Sequence, residues 1–462
     1  MLFSSLTFLY FFLPAVLLCY FAAPKRFKNA VLLGFSLLFY AWGEPKYVFL
    51  MAFTIVLGWL SGLMIERNRG EKSARRWLIS SVGMVLALLG IFKYADFFIA
   101  NFSAATGLDI ALLRLALPVG ISFYSFQIIS YLADVYRSSV PAQKSIVKLG
   151  CYISMFPQLI AGPIVRYADI NTQLENRSHS FDKAASGICR FIVGLGKKVL
   201  IANNLGALCK ACSGAAESSV LGFWLGAIGF TLQIYYDFSG YSDMAIGLGR
   251  ILGFEFMENF NYPYVSRSIT EFWRRWHMSL GSWFRDYLYI PMGGNRVSKP
   301  RWFFNIFVVW FCTGFWHGAS WNFMVWGLYF AVLLVLEKLW LLKLLEKSHV
   351  LGRIYTLLLV TMGFVIFNAA DMSEALLQLG GMFGLGGSAL FGAESLYYLR
   401  SYGLLLAVSI IGCTPVVKLG FAHLGKQGSA TLLRPLACAA LLVMCTAYLV
   451  DGSFNPFLYF RF

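Results

Sequence analysis

Residues 302–342 read WFFNIFVVWFCTGFWHGASWNFMVWGLYFAVLLVLEKLWLL, a stretch in which apolar side chains fill most positions. Its two apolar runs, 302–316 and 321–342, each approach the ~20 residues that an α-helix needs to cross the hydrocarbon core of a bilayer. The runs are continuous and do not alternate with polar residues. This pattern predicts helices and is not typical of the strands of a transmembrane barrel.

The composition of the whole chain agrees with this local pattern. Of its 462 residues, 59% are hydrophobic and 13% are charged, whereas a soluble domain carries about 25% charged residues. So few charges cannot cover a water-facing surface, and a chain inside a bilayer must bond every backbone polar group internally. We therefore predict an all-α, polytopic transmembrane helical bundle of about ten to twelve spans. We expect one integral-membrane domain over residues 1–462, located in the cytoplasmic (inner) membrane of the cell.

The positive charges follow the membrane pattern. The net charge is +16, and Lys and Arg gather in short loops between apolar runs. The positive-inside bias makes the loops at 25–28, 67–76 and 137–144 cytoplasmic, and the segments at 43–45 and 101–109 external. Nucleic-acid binding is not expected, because no basic stripe lies outside this pattern.

Other parts of the chain interrupt the simple succession of spans. The runs near 147–163, 185–203 and 220–236 are apolar but broken by Pro, Gly or ionisable residues. Broken backbone at membrane depth is tolerated only inside protein or beside a water-filled cavity, so we expect a cavity here. Residues 261–301 mix arginine with aromatic residues and predict an amphipathic, interfacial segment on the cytoplasmic side. The glycine-rich stretch 379–387 predicts a loop.

His317 is the first candidate for chemistry. It lies between two apolar runs, and an ionisable residue at membrane depth is costly and suggests function. Gly314 and Gly318 would let backbone or substrate approach closely. The alternative is a neutral histidine bonded to a backbone carbonyl in the bundle.

His277 is the second candidate and lies in the interfacial segment. It has either a direct chemical role or the structural role of fixing this segment to the bundle. A metal shared with His317 would lack a convincing ligand set. The lone C-x-x-C of Cys209 and Cys212 has no further ligands at a suitable spacing. The chain has five histidines, and the remaining three, which lie among polar loop residues where solvation is expected, are His179, His349 and His423.

Two carboxylates also fall among apolar runs. Asp237 and Asp243 are expected to form structural ion pairs, either with Arg250 or with the arginines of 267–285. The sequence has no phosphate-binding P-loop, no dinucleotide-binding glycine motif and no G-x-S-x-G nucleophile elbow. ATP-driven transport, dinucleotide chemistry and ordinary serine hydrolysis are therefore unsupported.

The ordered motifs resemble those of the membrane-bound O-acyltransferase family, and within it the bacterial subgroup of alginate and polysaccharide O-acetylation. The motifs are FWRRWH at 272–277, FRDYLYIP at 284–291, GGNR at 293–296 and FWHGA at 315–319, supported by DFSGYSD at 237–243, FPQ at 156–158, AGP at 161–163, NPF at 455–457 and FRF at 460–462. The GGNR motif favours the polysaccharide-acetylating subgroup over its relative that exports D-alanine to teichoic acid.

The resemblance implies interfacial or re-entrant helices around a central tunnel, with His317 and His277 as the two signature histidines. It implies transfer of an acetyl group from a cytoplasmic thioester, with acetyl-coenzyme A as the expected donor and with no bound cofactor or metal. The final acceptor would be an exported polysaccharide, reached through an extracytoplasmic SGNH-type partner. Membrane lipid is the other expected partner.

Physical chemistry agrees with these implied roles. Acyl transfer to a hydroxyl needs a base near neutral pH, so we expect His317 to be a general base or a transient acyl carrier. His277 would position the donor near the cytoplasmic entrance. A hydrogen-bond donor should stabilise the oxyanion. The candidate donors near His317 in the sequence are Trp316, Ser320, Trp321 and Asn322. The candidate substrate-binding residues are Trp273, Arg274, Trp276, Arg285, Asp286, Asn295, Trp316, Ser320, Asn322, Asp237 and Ser239.

Two other functions remain open. A solute transporter without covalent chemistry would also use broken helices and intramembrane charges, although no pair of similar halves is visible. A non-catalytic scaffold of a polysaccharide synthesis complex is the third hypothesis. The arginines of 267–296 suit a phosphate-bearing donor, but they would equally serve as topology anchors.

Overall fold

The computed structural model describes residues 1–160, 162–216, 218–426, 430–452 and 458. Ala161 and the tail motifs at 455–457 and 460–462 lie outside the described residues. Helices form most of the described chain, and the only β-type pairing within it is an isolated bridge between Ser219 and Ala389. The all-α prediction is confirmed.

Most helices of the first half of the chain are short or of moderate length. They are α1 (Phe8–Ala22), α2 (Lys28–Gly43), α3 (Val48–Arg67), α4 (Lys72–Thr106), α5 (Ile121–Tyr136), α6 (Ile146–Ser154), α7 (Phe156–Leu159), α8 (Tyr167–Glu175), α9 (Phe181–Gly196), α10 (Asn203–Ser213) and α11 (Val220–Ile251). A π-helical segment, Lys197–Ala202, joins α9 to α10.

The second half begins with short helices and continues with longer ones. They are α12 (Ile269–Arg275), α13 (Met278–Phe284), α14 (Lys299–His317), α15 (Trp321–Leu336), α16 (Leu342–Leu345), α17 (His349–Asn368), α18 (Met372–Met382), α19 (Ala393–Gly412), α20 (Val416–Lys426) and α21 (Ala430–Asp451). Two further π-helical segments, Arg285–Tyr289 and Glu337–Leu341, follow α13 and α15.

Five of the described helices are long and apolar enough to cross a membrane: Val48–Arg67, Lys72–Thr106, His349–Asn368, Ala393–Gly412 and Leu433–Asp451. Large apolar side chains such as Phe49 and Leu404 point outward from these helices and are exposed. Contiguous apolar surface of this kind is unstable in water and stable against lipid. The chain is therefore a multi-pass membrane protein.

One expectation about broken helices was wrong, and the loop expected at 379–387 was correct only in part. The run at 220–236 belongs to α11, which continues without interruption for 32 residues. Its glycines cost too little helix stability to break a helix whose backbone is otherwise fully bonded. The stretch at 379–387 is helical as far as Met382, and the loop begins only where Gly384 adopts a φ of +76°.

The chain forms two compact units, one of Met1–Phe191 with Ser242–Met257 and the other of Ile192–Tyr241 with Glu258–Phe462. In the first unit, aromatic rings close the core around α1. Phe8 lies 4.8 Å from Phe3 and 6.0 Å from Phe39, and Phe12 lies 5.5 Å from Phe156. The second and third of these pairs are edge to face, an arrangement that is favourable beyond the apolar area that it buries.

In the second unit, residues 261–301 form short helices and turns that pack against α15 and α17. This segment is thus made of short helices and turns and is not a span, as predicted, and its location at the membrane interface stays a prediction. Helix α12 begins at Ile269, where the buried carboxylate of Glu337 accepts hydrogen bonds from the backbone N–H of Ile269 (2.6 Å) and of Thr270 (2.8 Å). Glu337 therefore caps α12, because it satisfies N–H groups that a helix N-terminus leaves unbonded.

Candidate active site

The hairpin of α14 and α15 positions His317. A Cβ atom on Gly314 would overlap the carbonyl oxygen of Phe323, and one on Gly327 would overlap the carbonyl oxygen of Trp310. Glycine at both positions lets the two helices approach closely. Helix α14 ends at His317, whose ring stands nearly perpendicular to the ring of Trp326 at a centroid distance of 5.3 Å.

His277 lies between α12 and α13 in a left-handed backbone conformation, with φ of +43°. For a residue other than glycine this conformation costs on the order of 1–2 kcal/mol. The cost is met by the packing around it, since the ring is buried and contacts Phe238 edge to face at 4.6 Å. Strained backbone of this kind is found disproportionately at functional sites.

The hydrogen bonds of Asn259 define the tautomer of His277. The Oδ1 atom of Asn259 accepts from the backbone N–H of Ser279 (3.3 Å) and from its hydroxyl (2.8 Å), and lies 3.1 Å from Nδ1 of His277. A backbone N–H only donates, so this amide atom is the oxygen, and Nδ1 must carry the proton. Burial lowers the pKa of His277, so the ring is neutral at pH 7 and Nε2 is its acceptor nitrogen.

A small cavity brings the two histidines together. Its volume is about 20 Å³, room for about one water molecule. Aromatic and aliphatic side chains dominate its surface. The lining residues are Ile234, Asp237, Phe238, Trp276, His277, His317, Trp326, Phe364, Phe367 and Leu458. Four of the residues predicted from the sequence, Asp237, Trp276, His277 and His317, therefore share one cavity.

The expected structural ion pairing of the two aspartates is confirmed, but the cationic partners expected for them were wrong. Asp237 pairs with Lys198 at 2.5 Å, with both side chains only 3% exposed. Asp243 pairs with Arg190 at 2.9 Å. Because α11 is one continuous helix, the two aspartates project in directions roughly 120° apart and meet different cations. The second oxygen of Asp237 accepts from the backbone N–H of Leu458 at 3.0 Å.

Four candidate residues lie around the end of α14, at positions 316 and 320–322, and they differ in burial and in bonding. Trp316 is buried, and its ring lies 5.0 Å from that of His317 and 6.3 Å from that of His277. Asn322 donates to the carbonyl oxygens of Ile366 (3.3 Å) and Ala369 (2.8 Å). These bonds occupy its amide donors, so Asn322 positions α15 and is not an oxyanion donor in this conformation. Trp321 is 57% exposed, Ser320 is half-buried, and Ser239 is buried on α11.

The remaining predicted residues lie outside the cavity lining. Arg274 and Asn295 are exposed. Arg285 is exposed and forms a bidentate pair with its neighbour Asp286, at 2.6 Å and 3.1 Å. Trp273 packs in an aromatic cluster, 5.5 Å from Trp326, 4.8 Å from Trp310 and 4.9 Å from Phe330.

Sequence reasoning missed two residues of this region. Trp326 lines the cavity, is 1% exposed, and its buried indole N–H has no acceptor among the described residues. Nothing in the sequence distinguishes it from the other tryptophans. Glu337 is different, because a carboxylate inside an apolar run is itself a signal of a special role.

Comparison with known proteins identifies the family of the chain. Residues 135–370, which include His277 and His317, match the model of the membrane-bound O-acyltransferase (MBOAT) family. The chain is 39% identical to the probable alginate O-acetylase AlgI of Pseudomonas putida, over the full length of both proteins. The chain belongs to the membrane-bound O-acyltransferase family.

Further relatives of this O-acyltransferase differ in the group or polymer that their names specify. This chain is 32% identical to the peptidoglycan O-acetyltransferase of Helicobacter pylori, over 100% of this chain and 98% of the relative. It is 28% identical to the teichoic acid D-alanyltransferase of Bacillus subtilis, over 54% of this chain and 68% of the relative. The full-length matches assign it to the alginate O-acetylation subgroup of the family. The protein is thus a multi-pass membrane enzyme that transfers acyl groups to hydroxyls.

Proposed function

We propose that this enzyme takes an acetyl group from acetyl-coenzyme A at the cytoplasmic side of the cell membrane and moves it toward an exported polysaccharide, with an extracytoplasmic SGNH-type partner completing the transfer. The observation that carries the proposal is the cavity shared by His277 and His317. The acetyl group is supported by the two relatives named for O-acetylation, which match the whole chain, whereas the D-alanyltransferase matches about half of it.

His317 is the general base in this proposal. Its imidazole accepts the proton of the acceptor hydroxyl as the hydroxyl oxygen attacks the thioester carbonyl. The new C–O bond forms and the C–S bond breaks, and the proton passes from the imidazolium to the departing thiolate. Protons and electrons balance without any co-reactant.

His277 positions the thioester donor. Its neutral ring offers Nε2 as an acceptor, because Asn259 holds the proton on Nδ1. The pantetheine arm of coenzyme A carries amide N–H groups that can donate to such an acceptor. The left-handed backbone at His277 keeps the ring in one orientation.

Trp326 is the best candidate for the oxyanion donor. It lines the same cavity as both histidines, and its indole N–H has no acceptor among the residues described. A buried donor without a partner costs about 1–3 kcal/mol, which a developing negative charge would repay. The cavity of about 20 Å³ is smaller than a substrate requires, so substrate entry needs the surrounding aromatic rings to move.

The test compares His317→Ala and His317→Gln with wild type at matched membrane abundance, measuring ester-linked acetate on the cell-surface polysaccharide. We expect both variants to lose acetate by on the order of 10²-fold or more, because neither side chain can take up a proton. His423→Ala is the control, since His423 is exposed, and its acetate level should equal that of wild type.

The purified enzyme provides a second readout, the release of free thiol from acetyl-coenzyme A. Thiol release that depends on His317 would support both acetyl-coenzyme A as the donor and His317 as the general base. Unchanged acetate in His317→Ala would remove the catalytic assignment and favour the transporter or scaffold hypotheses.

A further inference from the structure

A second cluster of polar groups lies in the first unit, around Tyr20 at the end of α1. The guanidinium of Arg177 is held by three hydrogen bonds: from Nε to the hydroxyl of Tyr20 (2.7 Å), and from Nη1 to Oδ1 of Asn29 (2.7 Å) and to the carbonyl of Gln173 (3.3 Å). It also stacks 4.5 Å from the ring centre of Phe254. The guanidinium is therefore fixed in place by uncharged partners.

One part of this guanidinium is left without a partner. Nη2 of Arg177 is buried and has no acceptor in the part of the chain that the structure describes. A buried cationic donor of this kind is costly unless an anion binds it. Because the other donors are already bonded, an anion that displaces the atoms covering Nη2 would meet a guanidinium already held in place.

Lys28 adds a second positive charge. Its Nζ atom lies 4.7 Å above the ring of Tyr20 and 5.3 Å above that of Phe21. No described carboxylate pairs with Lys28 or Arg177. The nearby Glu255 is paired with Lys183 at 2.8 Å.

His179 completes the cluster. The hydroxyl of Tyr20 donates to the carbonyl of Leu252 (2.8 Å), so its oxygen accepts from Arg177 and from Nε2 of His179, which lies 3.0 Å away. Burial, followed by the charges of Lys28 and Arg177, lowers the pKa of His179. The local potential is thus positive enough to disfavour a further cation.

We propose that Lys28, Arg177, His179 and Tyr20 form a binding site for the phosphate of an anionic glycerophospholipid in the cytoplasmic leaflet. Two observations favour a lipid over a soluble phosphate. Phe21, which contacts both Lys28 and His179, is 48% exposed and offers an apolar surface beside the cations. The adjoining basic loop at 25–28 follows the apolar helix α1, where the positive-inside bias places it at the cytoplasmic membrane surface. The proposal is independent of the acyl-transfer chemistry.

The experiment measures lipid binding to the full-length protein in detergent by native mass spectrometry. Dioleoyl phosphatidylglycerol is titrated against the zwitterionic dioleoyl phosphatidylcholine. We expect Lys28→Gln to weaken phosphatidylglycerol binding about five- to tenfold and to leave phosphatidylcholine binding unchanged. Arg177→Gln should weaken phosphatidylglycerol binding further. Lys28→Gln is easier to interpret, because it leaves the hydrogen bonds of Arg177 in place.

Lys183→Gln is the matched control, since this lysine is near in sequence but paired with Glu255, and it should bind phosphatidylglycerol like wild type. Equal binding of the two lipids, or no effect of Lys28→Gln, would overturn the proposal. Competition by inorganic phosphate or by coenzyme A at concentrations similar to that of the lipid would also overturn it, by assigning the site to a soluble phosphate ligand.

Discussion

One backbone N–H determines the chemistry available at His277. The N–H of Ser279 identifies the oxygen of the Asn259 amide, and that oxygen in turn holds the proton on Nδ1 of the histidine. The ring therefore presents an acceptor nitrogen without first having to lose a proton. Asn259 and His277 are 18 residues apart with helix α12 between them, so no helix period relates them.

At the residue scale, Trp326 provides the sharpest prediction. Trp326→Phe removes the indole N–H while keeping an aromatic ring, and we expect kcat for acyl transfer to fall on the order of 10²-fold, with little change in KM for the donor. The measurement is steady-state thiol release from acetyl-coenzyme A by the purified enzyme.

Trp310→Phe is the control for that experiment. Trp310 packs in the same aromatic cluster, 6.3 Å from Trp326, but is not among the residues that line the cavity. A loss of kcat that was equal in the two variants would indicate a packing defect and count against an oxyanion role.

Sequence reasoning selected cavity-lining residues where a side chain was unusual for its surroundings. His317 and Asp237 are ionisable groups in apolar runs, and both line the cavity. Asn322 was a further candidate, and its amide group donates to backbone carbonyls at the end of α17. A polar side chain near a histidine in sequence has several directions in which to point, and only the packed neighbours select one.

At the scale of elements, the approach of α14 to α15 is what brings His317 next to Trp326. This approach depends on Gly314 and Gly327, each of which faces the backbone of the opposite helix. Small residues at helix interfaces are a general means of close packing in membranes, where burial of apolar side chains gives no net driving force.

Gly327→Ala tests this dependence. The added methyl group would meet the carbonyl oxygen of Trp310, so we expect destabilisation of about 1–3 kcal/mol and a lower unfolding temperature in detergent. Gly83→Ala is the matched control, because nothing lies within 4 Å of a Cβ at Gly83 in α4. An unfolding temperature equal to that of wild type in Gly327→Ala would show that the hairpin tolerates separation.

At the scale of the whole molecule, the length of α4 connects the structure to the membrane. This helix has 35 residues, and at 1.5 Å per residue it is roughly 52 Å long, beyond the ~30 Å hydrocarbon core. Glycines with positive φ flank it, Gly70 at +86° before it and Gly107 at +72° after it. The polypeptide therefore turns outside the hydrocarbon region at both ends.

The predicted topology can be measured at these two turns. Green fluorescent protein fused after residue 70 should fluoresce, because the basic loop at 67–76 is cytoplasmic in the predicted topology. Alkaline phosphatase fused after residue 107 should be active, because that enzyme folds only outside the cytoplasm. Activity of the phosphatase at residue 70 and not at residue 107 would invert the predicted orientation.

The sequence by itself determined the class of structure and the family, and it selected the two histidines as candidates. Continuous apolar runs predict helices, because the backbone N–H and C=O groups of a membrane span must form hydrogen bonds within the same segment. That requirement is local in sequence. Only the tertiary structure decided that Lys198 pairs with Asp237, that Trp326 faces the cavity and that Arg177 gathers Tyr20 and Asn29. These contacts join residues far apart in the chain, and they depend on the rotation and depth of packed helices, which no local pattern of hydrophobicity specifies.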